Sequence, residues 1–131
     1  MKILLVDDSR TMRNIQKNVL KTMENPAFTE AGDGMEALTA CASEPTGFDL
    51  MLVDWNMPNM DGLTFIRRFR EKNKETPIIM VTTEAEKTRI IEALKSGVNN
   101  YVIKPFTPDA LMERVNQTLA KRKAAAAPAA A

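Results

Sequence analysis

Short apolar runs alternate along this chain with longer segments in which apolar residues recur every three or four positions. The runs are nearly continuous, without polar alternation, as is expected of strands that are covered on both faces of a sheet. Four runs are strong, and a fifth, more mixed segment predicts an edge strand. The strong runs cover residues 3–6, 50–53, 78–81 and 101–103, and the weaker one covers 27–31.

Five amphipathic segments follow these runs and predict helices. Ser9 is a candidate N-cap of the first, Gly97 predicts the end of the fourth, and Pro108 opens the fifth. In the third segment, Arg67, Arg68 and Arg70 are expected to face outward. The predicted core-facing positions are Met12, Ile15, Val19 and Met23, then Ala37, Leu38, Cys41 and Ala42, then Leu63, Ile66 and Phe69, then Ile90, Ile91 and Leu94, and finally Leu111, Val115 and Leu119.

Five strand–helix repeats in this length predict the α/β class, with an open, doubly wound parallel sheet and helices on both faces. A chain of 131 residues is expected to form one domain. We place that domain at residues 1–122. The alanine-rich segment 123–131 is of low complexity and is expected to be a disordered tail.

Composition narrows the function. Lys plus Arg number 18 and Asp plus Glu number 17, so the net charge of +1 gives no reason to expect nucleic acid or a membrane as a partner. No apolar run approaches the about 20 residues of a membrane span. Cys41 is the only cysteine, which fits a reducing cytoplasm, and the absence of histidine excludes catalysis and metal binding by imidazole.

Polar residues follow four of the predicted strands at the point where each strand ends. Asp7 and Asp8 follow the first run, Asp54 the third, Thr82 the fourth and Lys104 the fifth. In an open parallel sheet the carboxyl ends of all strands lie at one edge, where ligands bind. We therefore expect three carboxylates, a hydroxyl and an ammonium to meet in one pocket.

Such a pocket needs additional positive charge. Two carboxylates about 5 Å apart repel by roughly 3 kcal/mol at an effective dielectric constant of 20, and Lys104 supplies only one positive charge. A hard divalent cation would supply the rest, and a donor set made only of oxygen favours Mg²⁺ over Zn²⁺. A carboxylate beside Mg²⁺ and a lysine is a plausible nucleophile toward phosphorus, and Thr82 could donate to a phosphoryl oxygen. Any single residue could instead be a solvated strand end.

Four segments together resemble the receiver domain of two-component response regulators, and most of all the stand-alone chemotaxis regulators of the CheY type. These segments are "LLVDDSRTMR", "LVDWNMPNMDG", "PIIMVTTEAEK" and "NNYVIKPFTPDAL". The resemblance covers residues 1–122. It implies a flavodoxin-like fold with the strand order 2-1-3-4-5.

The resemblance also implies roles in the pocket. Asp54 would accept a phosphoryl group as an acyl phosphate. Asp8 and Asp54 would ligate Mg²⁺ directly, Asp7 would act through a bound water, and Asn56 would offer its backbone carbonyl. Lys104 would contact the phosphoryl group.

Further roles follow from the same resemblance. A cis peptide is expected before Pro105. Thr82 and Tyr101 would form a switch pair, in which Thr82 moves toward the phosphoryl group and the Tyr101 ring rotates inward from solvent. Asn56 and Glu84 would tune self-dephosphorylation. The partner surface would comprise Ala85, Lys87, Ile90, Tyr101 and Arg114.

By resemblance, the chain is a single-domain signalling protein and not an enzyme in the ordinary sense. A chemotaxis-type histidine kinase would be the phosphodonor. Because no output domain follows the receiver, the signal would pass by docking to another protein, most simply the flagellar motor switch. A phosphorelay or another non-motility pathway is the alternative. We expect a cytoplasmic monomer.

Two other classes of protein fit the residues less well. An aspartate-nucleophile phosphatase of the haloacid dehalogenase type needs Asp-x-Asp after the first strand, whereas Asp7 and Asp8 are adjacent and no cap domain is present. A flavodoxin-like electron carrier needs a phosphate loop rich in Ser, Thr and Gly, whereas "DDSRTMR" is acidic and would repel a phosphate.

Overall fold

Five strands alternate with five helices in the computed structural model, which describes residues 1–126. All strand pairs are parallel and the sheet order is β2-β1-β3-β4-β5, so the predicted fold class and strand order are confirmed. The elements are β1 (Lys2–Val6), α1 (Arg10–Leu20), β2 (Ala27–Ala31), α2 (Gly34–Ser43), β3 (Leu50–Val53), α3 (Gly62–Arg70), β4 (Ile78–Thr82), α4 (Lys87–Lys95), β5 (Asn100–Ile103) and α5 (Pro108–Ala126).

Two apolar clusters lie on opposite faces of the sheet, because successive strand side chains point to opposite sides. Leu4 and Met51 belong to one cluster, with side chains from α2, α3 and α4. Ile3 and Leu50 belong to the other, with side chains from α1 and α5. The helices therefore cover both faces, as predicted, and the strand ends remain free to form a site.

Helix ends agree with the sequence signals. The Ser9 hydroxyl accepts a hydrogen bond from the Met12 N–H at 3.1 Å and caps α1. Gly97 has φ of +109° just after α4, in the left-handed region that favours glycine, and α5 begins at Pro108. The Lys104–Pro105 peptide is cis, as the resemblance implied.

The predicted core-facing side of α1 is confirmed only in part. Val19 and Met23 are partly buried and pack against the core, although Met23 lies beyond the end of the helix, whereas Ile15 is 41% exposed. The fully buried residues of the helix are Gln16 and Leu20. The Gln16 Oε1 atom is the only buried side-chain polar atom without a hydrogen-bond partner among the residues that the structure describes. Apolar periodicity does not determine how a helix is rotated against its neighbours, so adjacent faces are easily confused.

The prediction for α4 is wrong at two positions. Ile91 is 41% exposed and Leu94 is 47% exposed, while Ala93 is buried and Ile90 is half-buried. Successive helical residues are about 100° apart around the axis. Because Ile90 and Ala93 face the sheet, Ile91 and Leu94 each lie one step further around and face away.

Arg70 does not face outward as predicted. Leu63 and Ile66 are buried, Phe69 is half-buried, and Arg67 and Arg68 are exposed. The half-buried Arg70 guanidinium instead donates to the Gly97 carbonyl and to Asn99 Oδ1, both at 3.0 Å. It thereby connects α3 to the loop between α4 and β5.

The remaining helices agree better with the predicted faces. In α2, Ala37 is buried and Leu38 and Cys41 are partly buried, but Ala42 is exposed because it lies at the edge of the stripe. In α5, Leu111 and Val115 are buried and Leu119 is partly buried.

The α5 helix continues to Ala126 and so includes four residues that the boundary at residue 122 had assigned to the tail. Residues 127–131 lie outside the described part of the chain, and their expected disorder stays a prediction. Over residues 1–126, no helix combines the length and the apolar character needed to cross a lipid bilayer.

Candidate functional site

The carboxyl ends of β1, β3, β4 and β5 bring the predicted residues to one edge of the sheet. Backbone hydrogen bonds continue past the strand ends, since the Asp54 N–H donates to the Val6 carbonyl and the Lys104 N–H donates to the Thr82 carbonyl, both at 2.9 Å. The backbone of Asp54 and of Lys104 is therefore anchored to the neighbouring strand directly after β3 and β5.

Three carboxylates and one ammonium converge there. Carboxylate oxygens of Asp7, Asp8 and Asp54 all lie within 4.8 Å of one another. Asp7 is 1% exposed and Asp54 is 8% exposed, whereas Asp8 faces solvent. The Lys104 Nζ atom lies 2.7 Å from Asp7 Oδ2 and 3.2 Å from Asp54 Oδ2. Lys104 thus links the two buried acids, and Asp8 forms the open side.

Burial and neighbouring charges together shift the pKa values of Asp54 and Lys104. It raises the pKa of Asp54, and nearby Asp7 raises it further, although Lys104 and the Thr82 hydroxyl lower it. Burial alone would lower the pKa of Lys104, but the hydrogen bond to Asp7 and the charge of Asp54 outweigh it, so the pKa of Lys104 is raised. Lys104 therefore stays protonated, and one cation faces three acids.

This donor set fits Mg²⁺. Octahedral Mg²⁺ holds oxygens at about 2.1 Å, which places neighbouring ligands about 3 to 4 Å apart. The three acids offer oxygens within 4.8 Å of one another, so a small movement would bring them to that spacing. Two of the oxygens are fixed by backbone donors. The Ser9 N–H donates to Asp7 Oδ1 at 2.8 Å, and the Trp55 N–H donates to Asp54 Oδ1 at 2.7 Å. Oxygen ligands and an exposed Asp8 suit a hard cation that keeps some of its water.

The raised pKa of Asp54 has a consequence for stability that can be measured. Its folded-state pKa lies above the value of about 3.9 in an unfolded chain, so the folded state binds the proton more tightly and ionised Asp54 favours unfolding. In metal-free buffer at neutral pH, Asp54→Asn should raise the free energy of unfolding by about 1 kcal/mol. The gain should vanish below about pH 3.9, where both states are protonated.

Urea denaturation across this pH range would measure that difference, with Asp109→Asn as the control. Asp109 is an exposed acid in the first turn of α5, where its charge is favourable, so its replacement should give no gain. A neutral-pH stability of Asp54→Asn below that of the wild type would contradict the expected cost of burying this charge.

The predicted switch residues lie beside the pocket. The Asn56 side-chain amide donates to Glu84 Oε1 at 3.1 Å, and the buried Thr82 hydroxyl accepts from the Glu84 N–H at 3.4 Å. Tyr101 is 9% exposed, and its hydroxyl donates to the Glu84 backbone carbonyl. Burial raises the pKa of Tyr101 to about 12.

The Tyr101 ring is therefore inward in this structure, whereas the switch hypothesis starts from a ring in solvent. The inward position is favoured because the ring packs in an apolar cluster while its hydroxyl has an acceptor. The hypothesis thus requires a second, outward position, and the movement itself stays a prediction.

The predicted partner surface is only partly accessible. Ala85, Lys87 and Arg114 are exposed, Ile90 is half-buried and Tyr101 is buried. The Arg114 guanidinium donates to Asn100 Oδ1 at 3.3 Å, which holds α5 against β5.

Two arginines near the pocket were not identified from the sequence. Trp55 directly follows Asp54 in the sequence. The Arg89 Cζ atom lies 5.2 Å from the centroid of the Trp55 ring and forms a cation–π contact with it. The Arg13 guanidinium donates to the Asp7 backbone carbonyl and pairs with Glu30 at 2.9 Å. Neither contact has a local sequence signal, because each joins residues that only the tertiary fold brings together.

Comparisons with known proteins agree with this geometry. A sequence profile of the response regulator receiver domain matches residues 3–116. The chemotaxis protein CheY1 of Helicobacter pylori is 46% identical over 121 residues, which cover 91% of this chain and 97% of that protein. The chemotaxis protein CheY of Pseudomonas aeruginosa is 46% identical over 119 residues, which cover 89% of this chain and 94% of that protein.

Solved structures show the same fold. The chemotaxis protein CheY4 of Vibrio cholerae superposes with a TM-score of 0.80 at 33% identity, covering 89% of this chain and 97% of that one. A CheY-like receiver domain protein of Methanospirillum hungatei gives a TM-score of 0.84 at 27% identity, covering 94% and 96%.

Proposed function

Since this chain belongs to the response regulator receiver family, we propose that it signals by accepting a phosphoryl group on the carboxylate of Asp54. One observation carries the proposal. Asp54 is a nearly buried acid that lies 3.2 Å from the Lys104 ammonium, in a cluster with Asp7 and Asp8. That arrangement offers a nucleophile, a fixed cation and oxygen ligands for a metal at a single point.

The transfer uses this chain's own groups in defined roles. An Asp54 carboxylate oxygen attacks the phosphorus of a phosphohistidine, an O–P bond forms, the P–N bond breaks and the released imidazole takes a proton from solvent. The Lys104 ammonium neutralises phosphoryl oxygens as charge shifts between the two groups.

Four residues would hold Mg²⁺. Asp8 and Asp54 would ligate it directly, Asp7 through a water and Asn56 through its backbone carbonyl. When bound, the ion supplies Lewis acidity and positive charge to the phosphoryl oxygens. The chain acts on its own carboxylate only, so it is a phospho-accepting signalling domain and not a classical enzyme.

Self-dephosphorylation requires a water to reach the acyl phosphate. The hydrogen-bonded pair of Asn56 and Glu84 lies beside Asp54 on the solvent side, where it would control that approach. We assign the tuning of phosphate lifetime to this pair.

Phosphorylation adds a charge of about −1.5 to −2 and strong acceptor oxygens. Thr82 would donate to the phosphoryl group, and the inward Tyr101 ring would be favoured over an outward one. The partner surface of Ala85, Lys87, Ile90, Tyr101 and Arg114 would thereby change shape. A shift from 1:99 to 99:1 requires about 5.5 kcal/mol, which the phosphoryl contacts and the partner would supply together.

The relatives named as chemotaxis proteins support a chemotaxis-type histidine kinase as phosphodonor and the flagellar motor switch as target. A phosphorelay or another non-motility pathway is the alternative, which binding assays with isolated candidate partners would separate. The proposal includes a cytoplasmic, monomeric protein with no nucleic-acid or membrane partner.

Phosphoryl uptake is tested by intact mass after incubation with acetyl phosphate and Mg²⁺. The wild type should gain the mass of one phosphoryl group, and Asp54→Asn should gain none. Asp61→Asn is the matched control, because Asp61 lies in the same loop but caps α3 by accepting from the Thr64 N–H at 2.8 Å. Uptake that survives in Asp54→Asn, or a wild type that takes up no phosphate with Mg²⁺, would refute the proposal.

A further inference from the structure

The β3–α3 loop, residues 54–61, carries both the proposed acceptor and the carbonyl proposed as a metal ligand. The far end of this loop contacts the start of α2, which contributes no side chain to the acid cluster. The Asn59 Nδ2 atom donates to Asp33 Oδ2 at 2.7 Å, and the Gly34 N–H donates to the Met60 carbonyl at 3.0 Å. Asp33 is only 6% exposed, whereas Asn59 faces solvent, so the first of these bonds is part-buried.

Both contacts require specific residues. Asn59 has φ of +66°, in the left-handed region that asparagine enters more readily than most residues. A Cβ atom on residue 34 would lie 2.8 Å from the Met60 carbonyl oxygen and 2.8 Å from the Met60 Cβ. A side chain in place of Gly34 would therefore push the loop away. The loop is therefore held at its outer end in one conformation.

The inner end of the loop is equally constrained. The Trp55 N–H donates to Asp54 Oδ1 at 2.7 Å, and the Gly62 N–H donates to the Trp55 carbonyl at 2.8 Å. The second bond closes the chain on itself between residues 55 and 62. A displacement at Asn59 must therefore change the backbone near Asn56, which lies inside this closed segment.

We infer that Asp33 and Asn59 are positioning residues, whose hydrogen bond fixes the β3–α3 loop so that the Asn56 carbonyl and the Asp54 carboxylate face the metal. The inference rests on the proposed function, because it concerns the same metal and acceptor. The proposed function uses only residues of the pocket, whereas this inference gives a role to the N-cap of α2, which lies outside the pocket. Outer partners of metal ligands commonly affect metal affinity by 10–100-fold.

Exchange of the two side chains tests the pair. Asn59→Asp places two carboxylates against each other and should raise the Mg²⁺ dissociation constant about tenfold or more. The double variant Asp33→Asn/Asn59→Asp restores one donor and one acceptor at unchanged net charge. Asparagine is as good a helix N-cap as aspartate, so Asn at position 33 can still accept the hydrogen bond from the Glu36 N–H that caps α2. Mg²⁺ affinity should return toward the wild-type value.

Asn59→Gly is a second variant, because glycine accepts a φ of +66° and removes only the side-chain bond. It should weaken Mg²⁺ binding even if Asn59→Asp does not fold. Trp55 fluorescence and calorimetry would measure the affinity. Amide exchange of Gly62 in metal-free protein gives an independent readout and should be faster in both single variants.

Asn73→Ala provides a control of general stability. The Asn73 side chain accepts from the Glu75 and Thr76 N–H groups, both at 3.0 Å, in the loop before β4 at the opposite edge of the sheet. It should lower the melting temperature and leave the Mg²⁺ affinity unchanged.

Wild-type affinity in both Asn59 variants would overturn the inference alone, whereas a wild type that binds no Mg²⁺ and takes up no phosphate would overturn the proposed function.

Discussion

Replacement of Gly62 by alanine is expected to destabilise the protein by about 3 to 4 kcal/mol, a large share of the stability of a small domain. Gly62 is the first residue of α3, and its backbone passes directly over Asp54. An added Cβ would lie 1.9 Å from the Asp54 carbonyl oxygen and 3.0 Å from Val53 Cγ1. Both of these atoms belong to the central strand β3 or to the residue that follows it. The clash can therefore be relieved only by a shift of β3 or of α3.

The same shift should also weaken metal binding, because Asp54 moves with its carbonyl. Urea denaturation and Mg²⁺ titration of Gly62→Ala would measure the two effects. Both losses are expected together.

Two other glycines provide matched controls. Gly47 has φ of +75° with no atom within 4 Å of an added Cβ, so Gly47→Ala should cost only the about 1 to 2 kcal/mol of a left-handed alanine. A Cβ on Gly32 would meet only the flexible Glu36 carboxylate at 3.4 Å, so Gly32→Ala should be nearly neutral. If Gly62→Ala cost no more than Gly47→Ala, close approach to Asp54 would not be the reason for glycine at this position.

The strands and the acid cluster could be predicted because their signals are local and strong. The β1, β3 and β4 strands are buried on both faces, so they are continuous apolar runs that resemble no amphipathic helix. The parallel topology then brings the residues after those strands to one edge. Asp7, Asp54 and Lys104 could therefore be grouped without knowledge of any helix orientation.

Helix orientation was harder to predict, because it depends on contacts that are distant in sequence. Ile15, Ile91 and Leu94 fit an apolar stripe, yet each lies on the exposed side of its helix. Conversely, Gln16 is buried although it is polar. The choice between neighbouring faces is made by the sheet and by the adjacent helix, and a small shift in helix rotation changes which side chains are covered.

The supports of the site were missed for a related reason. Asp33 and Asn59 are separated by 26 positions, and each has an ordinary local interpretation, as a helix cap and as a turn residue. The close approach of Gly62 to Asp54 likewise follows from the packing of α3 on β3. Such contacts become visible only when the backbone positions are known, whereas the charged residues that they support are evident from strand ends.

Replacement of Lys104 by methionine is expected to cost about 3 kcal/mol at neutral pH in metal-free buffer, because it leaves the nearly buried acids Asp7 and Asp54 without their cation. The Lys104 side chain is itself only 12% exposed, so water does not replace it easily. The loss should shrink as the pH falls, because burial raises the pKa of Asp54 and its protonation removes one unpaired negative charge from the folded variant. Mg²⁺ should restore part of the lost stability by supplying positive charge at the same acids, and phosphoryl uptake should slow by about 10²–10³-fold.

Two further variants test whether the loss arises from the buried acids and not simply from replacing a lysine. Lys17 pairs with Glu30 at 3.0 Å, but their side chains are 32% and 34% exposed, so Lys17→Met should cost under about 1 kcal/mol. Adding Asp7→Asn to Lys104→Met removes one unpaired buried charge and should recover much of the stability. The recovery is expected because the unfavourable energy arises from like charges in a poorly solvated pocket. Equal losses in Lys104→Met and Lys17→Met, or no recovery in the double variant, would show that the acids at the sheet edge carry no such electrostatic cost. The pocket would then lack the excess negative charge that makes a divalent cation its natural ligand.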